Sequence, residues 1–333
     1  MTGRLRVGVL GAIGSWHTHG LASALTARGH DVIAIPATRL QSIVDEEGNA
    51  HVLGPDGALL DELDLLIVRG LPRGSLEQVI FRMDALHVLA EQGVRCVNSP
   101  RAIERTIDKS WAGSVLALAG LPTPATLVCE RYEGAMQAFE QLGGDVVVKP
   151  LFGAMGNGIV RIEDRDVAHR VFRALELERT VYYVQRTIAP AGRRNLRVLV
   201  VVGKVAGAME RVSDSWRANV ARGARPRRVT LSEDERRLAL AAALAVEADV
   251  AGVDLLVGPD EEIFVLEVNG IPGWRALQSV CSGDLTDVVV GACEGLVYGV
   301  IRPSCNAVAT RAPAAPADSS ASRSPSSRTP PPA

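Results

Sequence analysis

The chain has 333 residues, 47% of them hydrophobic and 22% charged, enough to bury a large core in two domains. Lys plus Arg number 36 and Asp plus Glu 38, a net charge of −2, which argues against a nucleic-acid coat and a polybasic membrane patch. No apolar run approaches the ~20 residues that span a bilayer, and Met1 to Leu10 lacks the apolar stretch and cleavage site of a signal peptide.

The first hundred residues alternate strand and helix. Leu5 to Leu10 reads as a strand, and His17 to Arg28 as a helix stopped by Gly29. Val32 to Ile35 and Leu65 to Val68 read as strands. Leu76, Val79, Ile80, Met83, Leu86 and Leu89 recur at helical spacing, and Val94 to Val97 is the next strand. This alternation predicts a parallel, doubly wound sheet. Gly8, Gly11 and Gly14 are spaced GxxGxxG rather than GxGxxG, so a tight strand–helix turn is expected rather than a dinucleotide site. His17 and His19 lack a third metal ligand and read as structural. Arg69 ends a strand and could line an acceptor pocket, as could Arg82 and Asp84, for which a surface ion pair is an equal reading.

Pro122 and Pro124 mark a boundary. Thr126 to Cys129, Val146 to Lys149, Gly158 to Ile162, Tyr182 to Gln185, Leu196 to Val202 and Val205 to Arg211 read as strands, with a helix over Tyr132 to Leu142. Together they predict an antiparallel-rich α+β body. Ser232 and Glu235 form a capping box before a helix to about Glu247. Val253 to Val257 and Ile263 to Val268 are strands joined by the turn Gly258-Pro259-Asp260-Glu261. Trp216 and Trp274 either flank a flat substrate ring or pack. Asn306 to Ala333 holds no Leu, Ile or Phe and cannot offset its ordering entropy, so a disordered tail is expected over 303–333. The five Cys are scattered without CxxC pairs, which argues against a disulfide framework and for a cytoplasmic protein. No HExxH or GxSxG motif supports a zincin or an α/β-hydrolase.

Three stretches carry chemistry. Val146 to Lys149 delivers a lysine at a strand end, and Gly153, Gly156 and Gly158 follow in a loop whose backbone N–H groups can approach an anion; a flexible hairpin is the plainer reading. The loop is not a Walker A, since no GK[ST] ends it. Glu267 and Asn269 share one strand face, and a hairpin can set Asp254 beside them, a hard oxygen set suited to Mg²⁺; a solvated polar face is the alternative. Arg197, Arg211 and Trp216-Arg217-Ala218-Asn219 form a basic stretch able to bridge phosphate or carboxylate, or simply exposed. Their joint occurrence, in this order, reads as a nucleotide–Mg²⁺ site.

The run Lys109, Lys149-Pro150 with its glycine loop, Gln185, Arg197, Arg217-Ala218-Asn219, Asp254 and Glu267-Val268-Asn269, then Pro272-Gly273, resembles an ATP-grasp ligase of the RimK type over about residues 1 to 300. Within that group the chain is similar to tetrahydromethanopterin:α-L-glutamate ligases and their relatives in bacterial one-carbon metabolism. Ile80-Phe81-Arg82-Met83-Asp84, Leu151 to Gly156 and Asn269-Gly270-Ile271-Pro272-Gly273-Trp274 carry that narrower likeness.

The resemblance implies an ATP-grasp fold, α/β and α+β, with an N-terminal Rossmann-like (pre-ATP-grasp) parallel-sheet domain over 1–105 and an ATP-grasp domain over 106–302. Within the latter it implies a lid over about 123–190 and a C-terminal part over about 191–302. Lys109 and Lys149 would hold ATP phosphates under the closing glycine loop, and Gln185, Arg186 and Thr187 would sit at the adenine. Asp254, Glu267 and Asn269 would bind two Mg²⁺ ions, with Mn²⁺ as a substitute. Arg197 and Arg217 would steady the transferred phosphoryl group, and Asn219 would touch nucleotide or acyl phosphate, beside Ala218. Asn195 stands where the family usually has Asp, and Arg186 where an acid is common, which puts local nucleotide or metal contacts in doubt. The implied substrates are a small-molecule carboxylate acceptor and an amino acid, glutamate foremost, with no nucleic acid or membrane and with room for a homo-oligomer. A ligase acting on a protein or peptide C-terminus and a non-catalytic nucleotide-binding regulator are the alternatives.

Overall fold

The structure, a computed structural model, describes residues 3–153, 157–188, 194–213, 223–258 and 261–301. Gly156, Trp216, the run Arg217-Ala218-Asn219, the middle of the Gly258–Glu261 turn and the expected tail lie outside these residues.

The first part holds β1 (Arg6–Leu10), α1 (Trp16–Ala27), β2 (Asp31–Ile35), β3 (Gln41–Val44), β4 (Ala50–Leu53), β5 (Leu65–Val68), α2 (Leu76–Glu91), β6 (Arg95–Val97) and α3 (Pro100–Ile107). Four strands form a parallel sheet in the order β2-β1-β5-β6. All four β5 residues are buried, as expected for a parallel strand covered on both faces. The glycine spacing after β1 proves to be a packing device. A Cβ on Gly8 would sit within 2.8 Å of Leu63 and Leu66, and Gly14 takes φ +77°, a conformation that suits glycine. The small β3–β4 hairpin was not legible in the sequence.

Next come α4 (Lys109–Leu118), β7 (Thr126–Cys129), α5 (Tyr132–Gln141), β8 (Val146–Lys149), β9 (Val160–Ile162), α6 (Arg165–Leu177) and β10 (Tyr182–Arg186). Their sheet has the order β7-β10-β8-β9 and is antiparallel. The last part holds β11 (Arg194–Val201), β12 (Lys204–Val212), β13 (Arg225–Arg228), α7 (Glu233–Ala245), β14 (Val250–Val257), β15 (Ile263–Asn269), α8 (Arg275–Gln278) and α9 (Leu285–Val297). Its sheet runs β13-β12-β11-β14-β15. The Ser232–Glu235 capping box forms, and α7 ends at Ala245 rather than near Glu247. The expected Gly158–Ile162 strand shortens to β9, because Gly158 sits at φ +73°.

One core ties the first sheet to the last. Val7, Val9, Leu65 and Ile67 pack with Leu199 and Val201 of β11 and with Val289, Val290 and Cys293 of α9. The β7–β10 sheet has its own core, around Phe139, Val146, Val148, Phe172 and Tyr182. Cys96, Cys129, Cys281 and Cys293 are free thiols. Among the described residues no helix is long and apolar enough to cross a membrane.

Candidate active site

One row of paired residues crosses the last sheet. Arg197 on β11 is in register with Asp254 on β14, and Asp254 with Glu267 on β15. Gly252 faces Asn269 one step along, on the same face. A Cβ on Gly252 would lie 2.4 Å from the Arg197 guanidinium, so the bare backbone there makes room for that arginine. The register shifts just beyond Asp254, an irregularity that re-aims neighbouring side chains.

Asp254 is gripped from both sides. Arg197 Nη1 donates to its Oδ1 at 2.8 Å, and Arg211 Nη2 to its Oδ2 at 3.1 Å. Burial would raise the Asp254 carboxyl, but the two arginines outweigh it and hold it below the usual carboxylate range. Arg211 Nε also donates to Asn195 Oδ1 at 2.6 Å. The atypical Asn195 therefore keeps a polar contact without supplying a second charge. Arg211 belonged to the basic stretch, but the resemblance gave it no role; only the paired strands reveal that it reaches Asp254.

Glu267 is half-buried, and among the described residues no donor pairs with its carboxylate. Its charge is felt by Lys109, Lys149 and Arg197. An unpartnered carboxylate beside Asp254, with the Asn269 amide two residues on, fits a hard divalent cation. Asn269 Oδ1 accepts the Ile271 N–H at 2.8 Å, which fixes its direction. No cluster of three His, Cys, Asp or Glu exists among the described residues, so phosphate oxygens and water would complete such an ion's shell.

The two lysines approach from other elements. Lys149 ends β8, and its Nζ donates to Gln185 Oε1 at 2.6 Å. The Gln185 amide then donates to Thr126 Oγ1 at 2.9 Å and Tyr183 Oη at 3.3 Å, so Gln185 acts as a bracket for the lysine. Burial pulls the Lys149 ammonium down to about 8, with Glu267 opposing and Lys109 adding to the fall. Lys109 begins α4 and donates to the Gly153 carbonyl at 2.8 Å, pinning the entry of the glycine loop. Burial lowers it too, against Glu267 and Asp108. Lys109, Tyr183, Gln185 and Glu267 line one pocket of about 250 Å³. Arg186 is exposed and Thr187 half-buried beside it. Gly158, with φ +73°, lies on the far side of the loop.

The Trp274 ring is 1% exposed, covered by Arg69 at 4.5 Å and by the edge of His17, so it packs rather than flanking a substrate ring. Arg82 donates to the Pro72 carbonyl at 2.6 Å rather than to Asp84. The family pattern described as a RimK-like ATP-grasp domain matches residues 106–290. The chain belongs to the RimK-like ATP-grasp family. As a member it is an ATP-dependent ligase that joins carbon to nitrogen. The chain is 35% identical to the tetrahydromethanopterin:alpha-L-glutamate ligase of Methanosarcina acetivorans over 248 residues, 66% of this chain and 76% of that one. It is 31% identical to a probable alpha-L-glutamate ligase of Aliivibrio fischeri over 295 residues, 87% and 95% of the two chains. Among solved structures, the ATP-grasp ligase PsnB with minimal precursor, Mg and ADP superposes at TM-score 0.68 and 21% identity, covering 88% of this chain and 98% of that one. The ATP-grasp fold is thus shared even where the sequences have diverged.

Proposed function

We propose that this ligase adds L-glutamate to a carboxylate-bearing, pterin-type cofactor of one-carbon metabolism. The observation that carries the reading is Glu267, a carboxylate with no donor among the described residues, whose charge is felt by Lys109, Lys149 and Arg197. The glutamate part is supported by relatives named alpha-L-glutamate ligase, and the pterin part by those named for tetrahydromethanopterin. A peptide acceptor is the second reading, favoured by the fold's likeness to a ligase bound to its precursor.

In this reading a substrate carboxylate oxygen attacks the γ-phosphorus of ATP, the bond to the ADP oxygen breaks, and an acyl phosphate forms. The amine of glutamate then attacks the acyl carbon, inorganic phosphate leaves, the amine gives up a proton, and an amide remains. Lys109 and Lys149 hold phosphate oxygens, and Arg197 offsets charge on the transferred group. Asp254, Glu267 and Asn269 hold Mg²⁺, two ions in our assignment, which supplies Lewis-acid stabilisation of phosphoryl oxygens. Mn²⁺ satisfies the same oxygen ligands. Arg217, Ala218 and Asn219 complete the phosphate contacts. Residues 123–190 serve as the lid that excludes water from the acyl phosphate, between an N-terminal domain to 105 and a C-terminal part from 191.

The test is ADP release from ATP–Mg²⁺ with L-glutamate and a panel of acceptors, including a tetrahydropterin with a free carboxylate. ADP that depends on both, with a product heavier by one glutamyl unit, is expected. Release with a peptide C-terminus instead would move the acceptor to the second reading. Tight ATP binding with no ADP from any acceptor would leave a regulator.

A further inference from the structure

The chemistry above leaves unused the crevice between the first sheet and the loop after β15. In the order β2-β1-β5-β6 the winding reverses between β1 and β5. Open α/β sheets take ligands outside the carboxyl ends of the strands at such a point. Gly11 follows β1 there and Arg69 follows β5, its N–H donating to the Leu10 carbonyl at 2.7 Å. A Cβ on Gly11 would come within 3.1 Å of the Arg69 Cβ, so bare backbone lets the arginine lie close against β1. Ala12, Ile13, Gly273 and Arg275 are exposed at the rim.

Among the described residues no carboxylate pairs with Arg69. Its Nη2 donates to the Pro272 carbonyl at 2.6 Å, and its guanidinium lies over Trp274. Nε is buried without a partner, and among the described residues no acceptor meets Nη1. A void of about 10 Å³ beside it has room for one water at most, which could cap Nε but not neutralise the charge. Arg275 also lacks a carboxylate partner among the described residues. His17 faces both arginines, accepts the Trp274 N–H at 2.9 Å, and is held neutral by burial and by their charge. Apart from the Cys293 thiol, whose own pKa burial pushes up to about 12, the titratable groups facing Arg69 are basic, and a guanidinium fork matches a carboxylate.

We propose that Arg69 binds a substrate carboxylate that does not itself react, and so selects an acidic co-substrate. The proposal rests on the ligase reading above. ATP phosphates are already assigned to Lys109 and Lys149, which leaves the amino acid or the acceptor as the source of the carboxylate. Pro272 is three residues from Asn269, at most about 10 Å along the chain. The anchored carboxylate therefore lies within small-molecule reach of the metal-binding pair.

The test compares Arg69→Gln and Arg69→Lys with the full-length wild type by calorimetry. L-glutamate and the carboxylate-bearing tetrahydropterin are titrated separately, each with a non-hydrolysable ATP analogue and Mg²⁺ present. Arg69→Gln should weaken one of the two by at least about tenfold, the loss of one charge-assisted contact. Arg69→Lys should recover part of that loss, with nucleotide affinity unchanged in both variants. A loss confined to L-glutamate assigns the carboxylate to the amino acid, and a loss confined to the pterin assigns it to the acceptor. Unchanged binding of both, a parallel loss of nucleotide binding, or a wild type that binds neither overturns the inference. A wild type that binds a carboxylate through Arg69 yet releases no ADP overturns the ligase reading and leaves this inference standing.

Discussion

Arg197 and Arg211 hold opposite oxygens of the Asp254 carboxylate, at 2.8 and 3.1 Å. Two guanidiniums share this acid, and Arg211 Nε also donates to the neutral Asn195. Asp254→Asn removes the charge that justifies both arginines. We expect a loss of about 3–5 kcal/mol of stability, as for other broken buried pairs, together with lost turnover. Denaturant unfolding of wild type and variant measures it; an equally stable variant would mean that solvent, not Asp254, balances the arginines.

Glu267 is the opposite case, because among the described residues no side chain hydrogen-bonds to it. Glu267→Ala should change stability by less than about 1 kcal/mol. Turnover should fall on the order of 10²–10³-fold, the usual effect of removing one electrostatic stabiliser of the transition state. Activity near the wild-type rate would remove Glu267 from the metal assignment.

Lys149 gives a pH signature. Its ammonium titrates near 8 in the free protein, below the ordinary 10.5. Above that pH the free site is increasingly neutral, and polyphosphate binding must restore the proton. ATP binding should therefore weaken as pH rises past about 8 and take up a proton there. Calorimetry in two buffers of different ionisation heat reads the uptake. Lys149→Ala should bind ATP more weakly and lose the uptake; unchanged affinity would remove this lysine from the site.

His17 predicts an acid-side effect. Its folded pKa is pushed down to about 4 from 6.5, first by burial and then by Arg69 and Arg275. The unfolded chain thus takes the proton first. Stability should fall as pH drops from 6.5 towards 4, with the full cost present below that window. His17→Gln keeps an acceptor for the Trp274 N–H but cannot titrate. Across that window its melting temperature should decline less than that of the wild type.

The strands were legible where burial is continuous. Leu65–Val68 and Val146–Lys149 have the bounds their apolar runs suggest. Gln41–Val44 was not, because all four residues are exposed and carry no core pattern. Helices α3 and α4 carry cap signals at Ser99-Pro100 and Asp108, but the mixed polar and apolar residues of α4 give no clear helical stripe. Helix α9 contains the β-branched run Val288-Val289-Val290, and its Asp284 cap marks its start. In the site, spacing along β15 and across the hairpin brought out Asp254, Glu267 and Asn269. The bracket of Gln185 on Lys149 and the reach of Arg211 were invisible, because both depend on strands far apart in sequence.

The buried Asn98 side chain accepts the Val250 N–H at 2.9 Å and donates to the carbonyls of Val250 and Gly270. One amide thus bolts the end of β6 to the start of β14 and to the loop that leaves Asn269. With the shared core behind it, the crevice at Arg69 and the acid pair at Asp254 and Glu267 ride on one block, like the fixed jaw of a caliper. Lys149 belongs to a sheet with a separate core, so its distance from that block is not set by the same packing. The span between Arg69 and the acid pair is thus held by one continuous core, whereas the span from either to Lys149 crosses between two cores.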